Sequence, residues 1–183
     1  MPKALLIIDY TNDFVAADGA LTAGAPAQAL DANIAALAQD FLLSGNFVYL
    51  PTDVHTANDP YHPETKLFPP HNQRGTWGRE LYGEVGEWYA AHQGDAHVQL
   101  FDKTRYSSFA GTPLDLWLRE RHVTELHLVG VCSDICVLHT AVDAYNLNYP
   151  MVIHEQAVAT FNPGGQEWAL NHFKSALNAT IVD

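Results

Sequence analysis

Short, nearly uninterrupted apolar runs alternate along the chain with longer stretches in which apolar residues recur every three or four positions. The runs Lys3–Asp9, Phe47–Thr52, His97–Phe101, Glu125–Val131, Pro150–His154 and Thr180–Asp183 are short and rich in apolar and β-branched residues, and they predict strands. Several lack any polar alternation, as expected of strands buried on both faces. Between them, Pro26–Leu43 carries Leu30, Ile34, Leu37 and Phe41 at helical spacing, and Pro113–Arg121 opens on a proline. Ile135–Leu147 follows a Ser133-Asp134 cap, and Gln166–Leu177 is again amphipathic. This alternation predicts an α/β fold of three layers, α/β/α, around a mostly parallel sheet of about six strands. Residues Asp53–Gly94 depart from the rhythm, crowding prolines, glycines, histidines and aromatics together. A long irregular loop in a compact domain is usually functional.

No linker, repeat or low-complexity tract divides the 183 residues, 48% of them hydrophobic, so one domain spanning residues 1–183 is expected. A formal charge of -12 repels phosphate backbones and anionic membrane surfaces, which argues against nucleic-acid and membrane partners. The opening Met1-Pro2-Lys3 runs straight into an apolar strand and does not read as a signal peptide, and no apolar run approaches the ~20 residues of a membrane span. Two cysteines four positions apart are too few for a disulfide framework. A cytoplasmic protein with reduced thiols is expected.

Three stretches each bring one reactive side chain to the end of a strand-like run: Asp9 after Leu5-Leu6-Ile7-Ile8, Lys103 after Val98-Gln99-Leu100-Phe101-Asp102, and Cys136 just beyond Gly130-Val131-Cys132. Ligands and chemistry collect at the carboxyl ends of parallel strands, so an acid, an amine and a thiol placed there can meet. Each also has a plainer reading. Asp9 can be a general base or a helix cap, and Lys103 a partner of a thiolate or a solvated surface cation. Cys132 and Cys136 can be small core residues, although a thiol at a helix start sits where the dipole favours its anion.

Ile8-Asp9-Tyr10-Thr11-Asn12-Asp13-Phe14, the Lys103 segment and Gly130-Val131-Cys132-Ser133-Asp134-Ile135-Cys136-Val137 together resemble the isochorismatase-like cysteine hydrolases, most closely the nicotinamidases, over essentially the full length. Thr11 departs from the glutamine common at that position. The resemblance implies the isochorismatase-like, Rossmann-like fold and hydrolysis of nicotinamide to nicotinate and ammonia in NAD salvage, with pyrazinamide a possible second substrate. Carried over by position, the implied triad is Asp9, Lys103 and Cys136. The backbone N–H groups of Cys132 and Cys136 would serve as oxyanion donors, with a cis peptide before Cys132. A homo-oligomer is expected.

The resemblance also implies a divalent transition metal. Asp53 and His55, at i and i+2 of an extended segment, point the same way, and His71 follows two stiffening prolines. Glu64 is favoured as fourth ligand, with His62 as the alternative. Zinc is favoured, and iron or manganese also suits such donors. Phe14, Phe68, Trp77 and Tyr106 lie near these motifs and are expected to hold a flat ring, whereas Trp88, Trp117 and Trp168 are expected to pack. His92, His97, His122, His127, His139, His154 and His172 show no partner spacing and are expected in core or surface roles. A metal-free hydrolase acting on another small amide or ether, and a non-catalytic protein of this fold, are the alternatives.

Overall fold

The computed structural model describes residues 1–183. The apolar runs form six strands, β1 (Lys3–Ile8), β2 (Phe47–Asp53), β3 (Val98–Lys103), β4 (Glu125–Val131), β5 (Met151–Ala159) and β6 (Thr180–Val182). All pair in parallel, in the order β3-β2-β1-β4-β5-β6. The helices are α1 (Asn12–Val15), α2 (Ala25–Gln28), α3 (Asp31–Leu43), α4 (Gly83–His92), α5 (Leu114–Glu120), α6 (Cys136–Asn146) and α7 (Gly165–Ser175).

The central strand explains its own position. Leu5, Leu6, Ile7 and Ile8 are buried, and each such side chain contributes about 1.5–3 kcal/mol on leaving water. Leu6 and Ile8 join Leu114 and Leu118 of α5, Val137 of α6 and Phe173 of α7 on one face. Leu5 and Ile7 join Ile34 of α3 and Val85 and Trp88 of α4 on the other. Right-handed crossovers require this division: the chain winds from β1 out to β3, then returns to β4 and winds the opposite way, so the two helix sets cover opposite faces. The reversal leaves a crevice at the carboxyl ends of β1 and β4. Gly130 sets the closeness of the two strands there, since at φ 107° it would carry a Cβ only 2.1 Å from the Ile8 carbonyl oxygen.

Four local expectations are corrected. The helix expected over Pro26–Leu43 is two helices, because the Leu30 N–H turns back to Ala27 three residues earlier, breaking the regular ladder. A full helix, α4, lies within the stretch read as irregular. Its glycine-rich first turn has no local cap, and the Asp31 carboxylate of α3 accepts the Glu84 and Val85 N–H groups instead. Strand β5 continues to Ala159, past the exposed Glu155-Gln156, because a register irregularity opposite Leu128–Gly130 lets pairing resume. Ser133 and Asp134 do not cap α6. The Ser133 hydroxyl donates to Gln166, while Asp134 accepts from Thr160 Oγ1 (2.6 Å) and Asn162 Nδ2 (3.1 Å).

Candidate active site

Asp9 leaves β1 at φ 54°, a left-handed conformation that aspartate tolerates better than most residues. Its N–H donates to Pro51 and its Oδ1 accepts the Asp53 N–H at 2.7 Å, so the carboxylate ties the ends of β1 and β2 together. Lys103 ends β3 in register with Asp53. Its ammonium, wholly buried, lies 2.8 Å from Asp9 Oδ2, 3.8 Å from Asp53 Oδ1 and 3.7 Å from Cys136 Sγ, and donates to the Arg105 carbonyl at 3.0 Å. Cys136 is the first residue of α6. The acid, amine and thiol expected to converge do so around one nitrogen, and the solvated reading of Lys103 and the cap reading of Asp9 fall away.

Burial dominates the protonation of the acid and the thiol. It raises the Asp9 carboxyl to about 6, against the lowering pull of Lys103. Burial likewise pushes the Cys136 thiol well above its ordinary range, outweighing the neighbouring ammonium, so the anion-favouring effect expected of the helix start does not prevail. For Lys103 burial acts downward, but Asp9, Cys136 and Asp53 hold it above its usual value and keep it charged. The resting site therefore pairs a neutral thiol with a carboxyl that ionises near neutrality. The Val131–Cys132 peptide is cis. Neither the Cys132 nor the Cys136 N–H donates to any protein acceptor, although the flanking Ser133, Ile135 and Val137 N–H groups all do.

Beside the thiol, Asp53, His55, Glu64 and His71 bring one donor atom each within 4.8 Å of one another. His55 Nε2 is 2.7 Å from Asp53 Oδ2, and His71 Nε2 is 3.6 Å from both Asp53 Oδ2 and Glu64 Oε2. The His71 Nδ1–H donates to the Pro69 carbonyl at 2.8 Å, which turns the Nε2 lone pair inward. That nitrogen and Asp53 Oδ1 are buried without a hydrogen-bond partner, as suits groups that await a cation. Two imidazoles and two carboxylates fit a transition metal. His62 stands outside the group: its Nε2–H donates to the Thr104 carbonyl at 2.8 Å, and its Nδ1 accepts the Glu64 N–H at 3.3 Å, capping the 3-10 turn Pro63–Lys66 that carries Glu64. Both ring nitrogens are used. Asp53 is held at about 2, the burial that would raise it being outweighed by Lys103 and His55.

A small apolar pocket joins thiol and donor group. Phe14, Leu21, Phe68, Tyr106, Cys132, Ile135, Cys136 and Phe161 line it, and Glu64 lies in its wall. Glu64 also lines the adjoining polar pocket, together with His55 and His71. Phe14 and Phe68 stand at 5.3 Å and 6.1 Å from the His71 ring. Trp77 is not part of this lining. It is 49% exposed in a separate 3-10 turn, where its carbonyl accepts from Asn12. Leu21, Ile135 and Phe161 were missed, because nothing local marks a loop residue whose position depends on how the loop folds back. Trp88 and Trp117 pack as expected, but Trp168 is 53% exposed, stacked on His172. Two of the histidines without sequence partners have one in space: His127 Nδ1 and His154 Nε2 meet at 2.8 Å across β4 and β5.

The chain matches the isochorismatase domain family over residues 3–183. It is 31% identical over 173 residues to the nicotinamidase of Escherichia coli strain K12, an alignment covering 81% of this chain and 78% of that one. A crystal structure of the nicotinamidase/pyrazinamidase PncA from Bacillus subtilis superposes with a TM-score of 0.98 at 55% identity, covering 100% of both chains. A pyrazinamidase of Pyrococcus horikoshii in complex with zinc superposes with a TM-score of 0.86 at 25% identity, over 100% of this chain and 99% of that one. A family match over nearly the whole length, on the same parallel sheet and with the acid, amine and thiol gathered at one crevice, places this chain in the isochorismatase family.

Proposed function

We propose that the protein is a metal-containing nicotinamidase that hydrolyses nicotinamide to nicotinate and ammonia. The observation that carries this reading is the pocket: an apolar slot lined by the Cys136 thiol that adjoins a metal-donor group, with Glu64 in the wall of both. A flat, neutral ring with a carboxamide at one edge and a basic nitrogen at the other fits that polarity. No arginine or lysine lines the slot, which disfavours substrates carrying a carboxylate. The nicotinamidase names among the similar proteins support the same reading.

Asp9, ionised above pH about 6, takes the Cys136 proton as the sulfur attacks the carboxamide carbon. Lys103, touching both Asp9 and Cys136, compensates the negative charge as it moves from carboxylate to sulfur. The free N–H groups of Cys132 and Cys136 stabilise the oxyanion. Collapse of the tetrahedral adduct breaks the C–N bond, with the proton on Asp9 passing to departing ammonia, and leaves a thioester on Cys136. Water, deprotonated by Asp9, hydrolyses the thioester, releases nicotinate and restores the thiol. Asp53, His55, Glu64 and His71 would hold the metal, zinc being favoured and iron or manganese suiting the same donors. When bound it would supply a Lewis-acidic anchor for the ring nitrogen.

No helix is long and apolar enough to cross a membrane. The acidic charge and the two free cysteines support a cytoplasmic protein without nucleic-acid or membrane partners, and the hydrolysis of nicotinamide proposed here would serve NAD salvage. The test is ammonia release from nicotinamide and from benzamide, which has the carboxamide but no ring nitrogen, by zinc-loaded and chelator-treated protein. Zinc-loaded protein should prefer nicotinamide strongly, and chelation should erase the preference. Equal turnover of both amides in both states would defeat the reading.

A further inference from the structure

Asn72 sits between the two histidines of the donor group without belonging to it. It is fully buried and left-handed at φ 43°, a conformation that asparagine adopts more readily than most residues. Its backbone faces two ways. The carbonyl accepts the His55 N–H at 3.0 Å, and the peptide nitrogen, directly joined to His71, donates to Asp13 Oδ2 at 2.7 Å. The side chain holds a third line, with its Oδ1 accepting the Thr11 hydroxyl at 2.9 Å. One residue thus links the segments carrying His55 and His71 to the turn that follows β1.

Asp13 anchors that linkage. Its carboxylate is buried, and while Oδ2 holds Asn72, Oδ1 accepts the Ala20 N–H at 3.1 Å. Gly78 packs against the carboxylate so closely that a Cβ there would lie 2.1 Å from Oδ2. Asn12 beside it is held by the Glu80 and Trp77 carbonyls. Asp13 therefore has no freedom to follow the loop if the loop moves. Charge-assisted hydrogen bonds to backbone N–H groups are among the stronger kinds, and this one acts on the residue next to His71. Outer-shell partners of this type set the orientation of metal ligands, and their loss typically lowers metal affinity by ~10–100-fold.

We propose that Asp13 and Asn72 form a positioning unit that holds His55 and His71 at the spacing a metal requires, with Thr11 bracing the asparagine. The inference rests on the donor set proposed above, Asp53, His55, Glu64 and His71. It gives the threonine at position 11 a role: its short hydroxyl reaches Asn72, not the Asp9–Lys103–Cys136 group.

Zinc affinity, measured by competition with a chromophoric chelator, separates this inference from the reading beneath it. Wild-type protein should bind one zinc, and Asp13→Asn, which turns one acceptor oxygen into a donor facing an N–H, should weaken binding ~10–100-fold. Asn72→Gly keeps the left-handed backbone and its two main-chain hydrogen bonds while losing the side chain's hydrogen bond to Thr11, so it should weaken binding less than Asp13→Asn does. Thr11→Val should match Asn72→Gly and stands in for Asp13→Asn if that variant does not fold. Asp115→Ala, which removes the acceptor of the Tyr149 hydroxyl on the opposite face, is the control for general destabilisation. If wild type binds no zinc, the donor-set reading fails and this inference with it. If wild type binds zinc and Asp13→Asn and Thr11→Val bind it within twofold as tightly, or Asp115→Ala loses as much, only the positioning unit is overturned.

Discussion

Replacing Lys103 by methionine removes the one cation that three buried groups share. At an effective dielectric of about 20, a unit charge 2.8 Å from Asp9 and 3.8 Å from Asp53 is worth about 6 and about 4 kcal/mol of Coulomb energy. Most of this offsets the cost of holding the ions out of water, and removing one partner from such a group typically destabilises by about 3–5 kcal/mol. That is the loss expected for Lys103→Met in urea denaturation at pH 7. Linkage gives its pH dependence. The Asp9 carboxyl rises from its ordinary 3.8 to about 6 on folding, so it contributes stability present below 3.8 and lost as pH rises through about 6. Asp53, lowered to about 2, contributes stability present above 3.8 and lost as pH falls through about 2. Both carboxylates lean on Lys103 when ionised, so the destabilisation should be largest above pH 6 and shrink below pH 4. Without the cation Asp9 titrates higher still and cannot act as base at neutrality, so ammonia release from nicotinamide should fall by at least ~10²-fold. Asp9→Asn breaks the same Asp9–Lys103 contact, so in the double variant the two losses should fall short of their sum by at least about 1 kcal/mol. A single-variant loss under about 1 kcal/mol, losses that add within about 0.5 kcal/mol in the double variant, or turnover within tenfold of wild type would refute the argument.

Cys136→Ala should abolish turnover with little change in stability, and mass spectrometry of quenched wild type should find an acyl adduct on Cys136. Survival of activity in Cys136→Ala with its loss in Cys132→Ala would transfer the nucleophile to the other thiol. Glu64→Ala should release most bound zinc, while His62→Ala should release far less, because both ring nitrogens are committed to the Thr104 carbonyl and the Glu64 N–H and only the cap on the turn carrying Glu64 is lost; metal analysis of the two purified variants decides. Burial holds His154 down at about 4, below the 6.5 of a free imidazole, and lowers His127 as well. The unfolded chain then takes up protons first, so stability should be complete above pH 6.5 and decline as pH falls through about 4. His154→Gln should flatten that decline in pH-dependent thermal melts, and an unchanged slope would exclude the pair as its source.

The strands, their parallel sense and the convergence of Asp9, Lys103 and Cys136 were legible in residue order, for a geometric reason. Runs such as Leu5-Leu6-Ile7-Ile8 survive only where both faces are covered, which calls for crossover helices, and crossovers bring successive strand ends to one edge of the sheet. Asp53 and His55 were legible because a strand sends i and i+2 to one side. Other features depend on contacts between residues far apart in the chain. Helix α4 starts at Gly83 because the Asp31 carboxylate, more than fifty positions earlier, caps it. His127 and His154 meet because of the β4–β5 register, which no spacing in the chain encodes. The choice of Glu64 over His62 turned on which of two neighbouring loop residues found a carbonyl at Thr104. Leu21, Ile135 and Phe161 entered the pocket, and Trp77 left it, by the course of loops whose composition is unremarkable. Periodicity reports which face of an element meets the core, because burial acts on every residue of that face. A loop residue's place is set by a few specific hydrogen bonds and close contacts, and those exist only once the chain has folded.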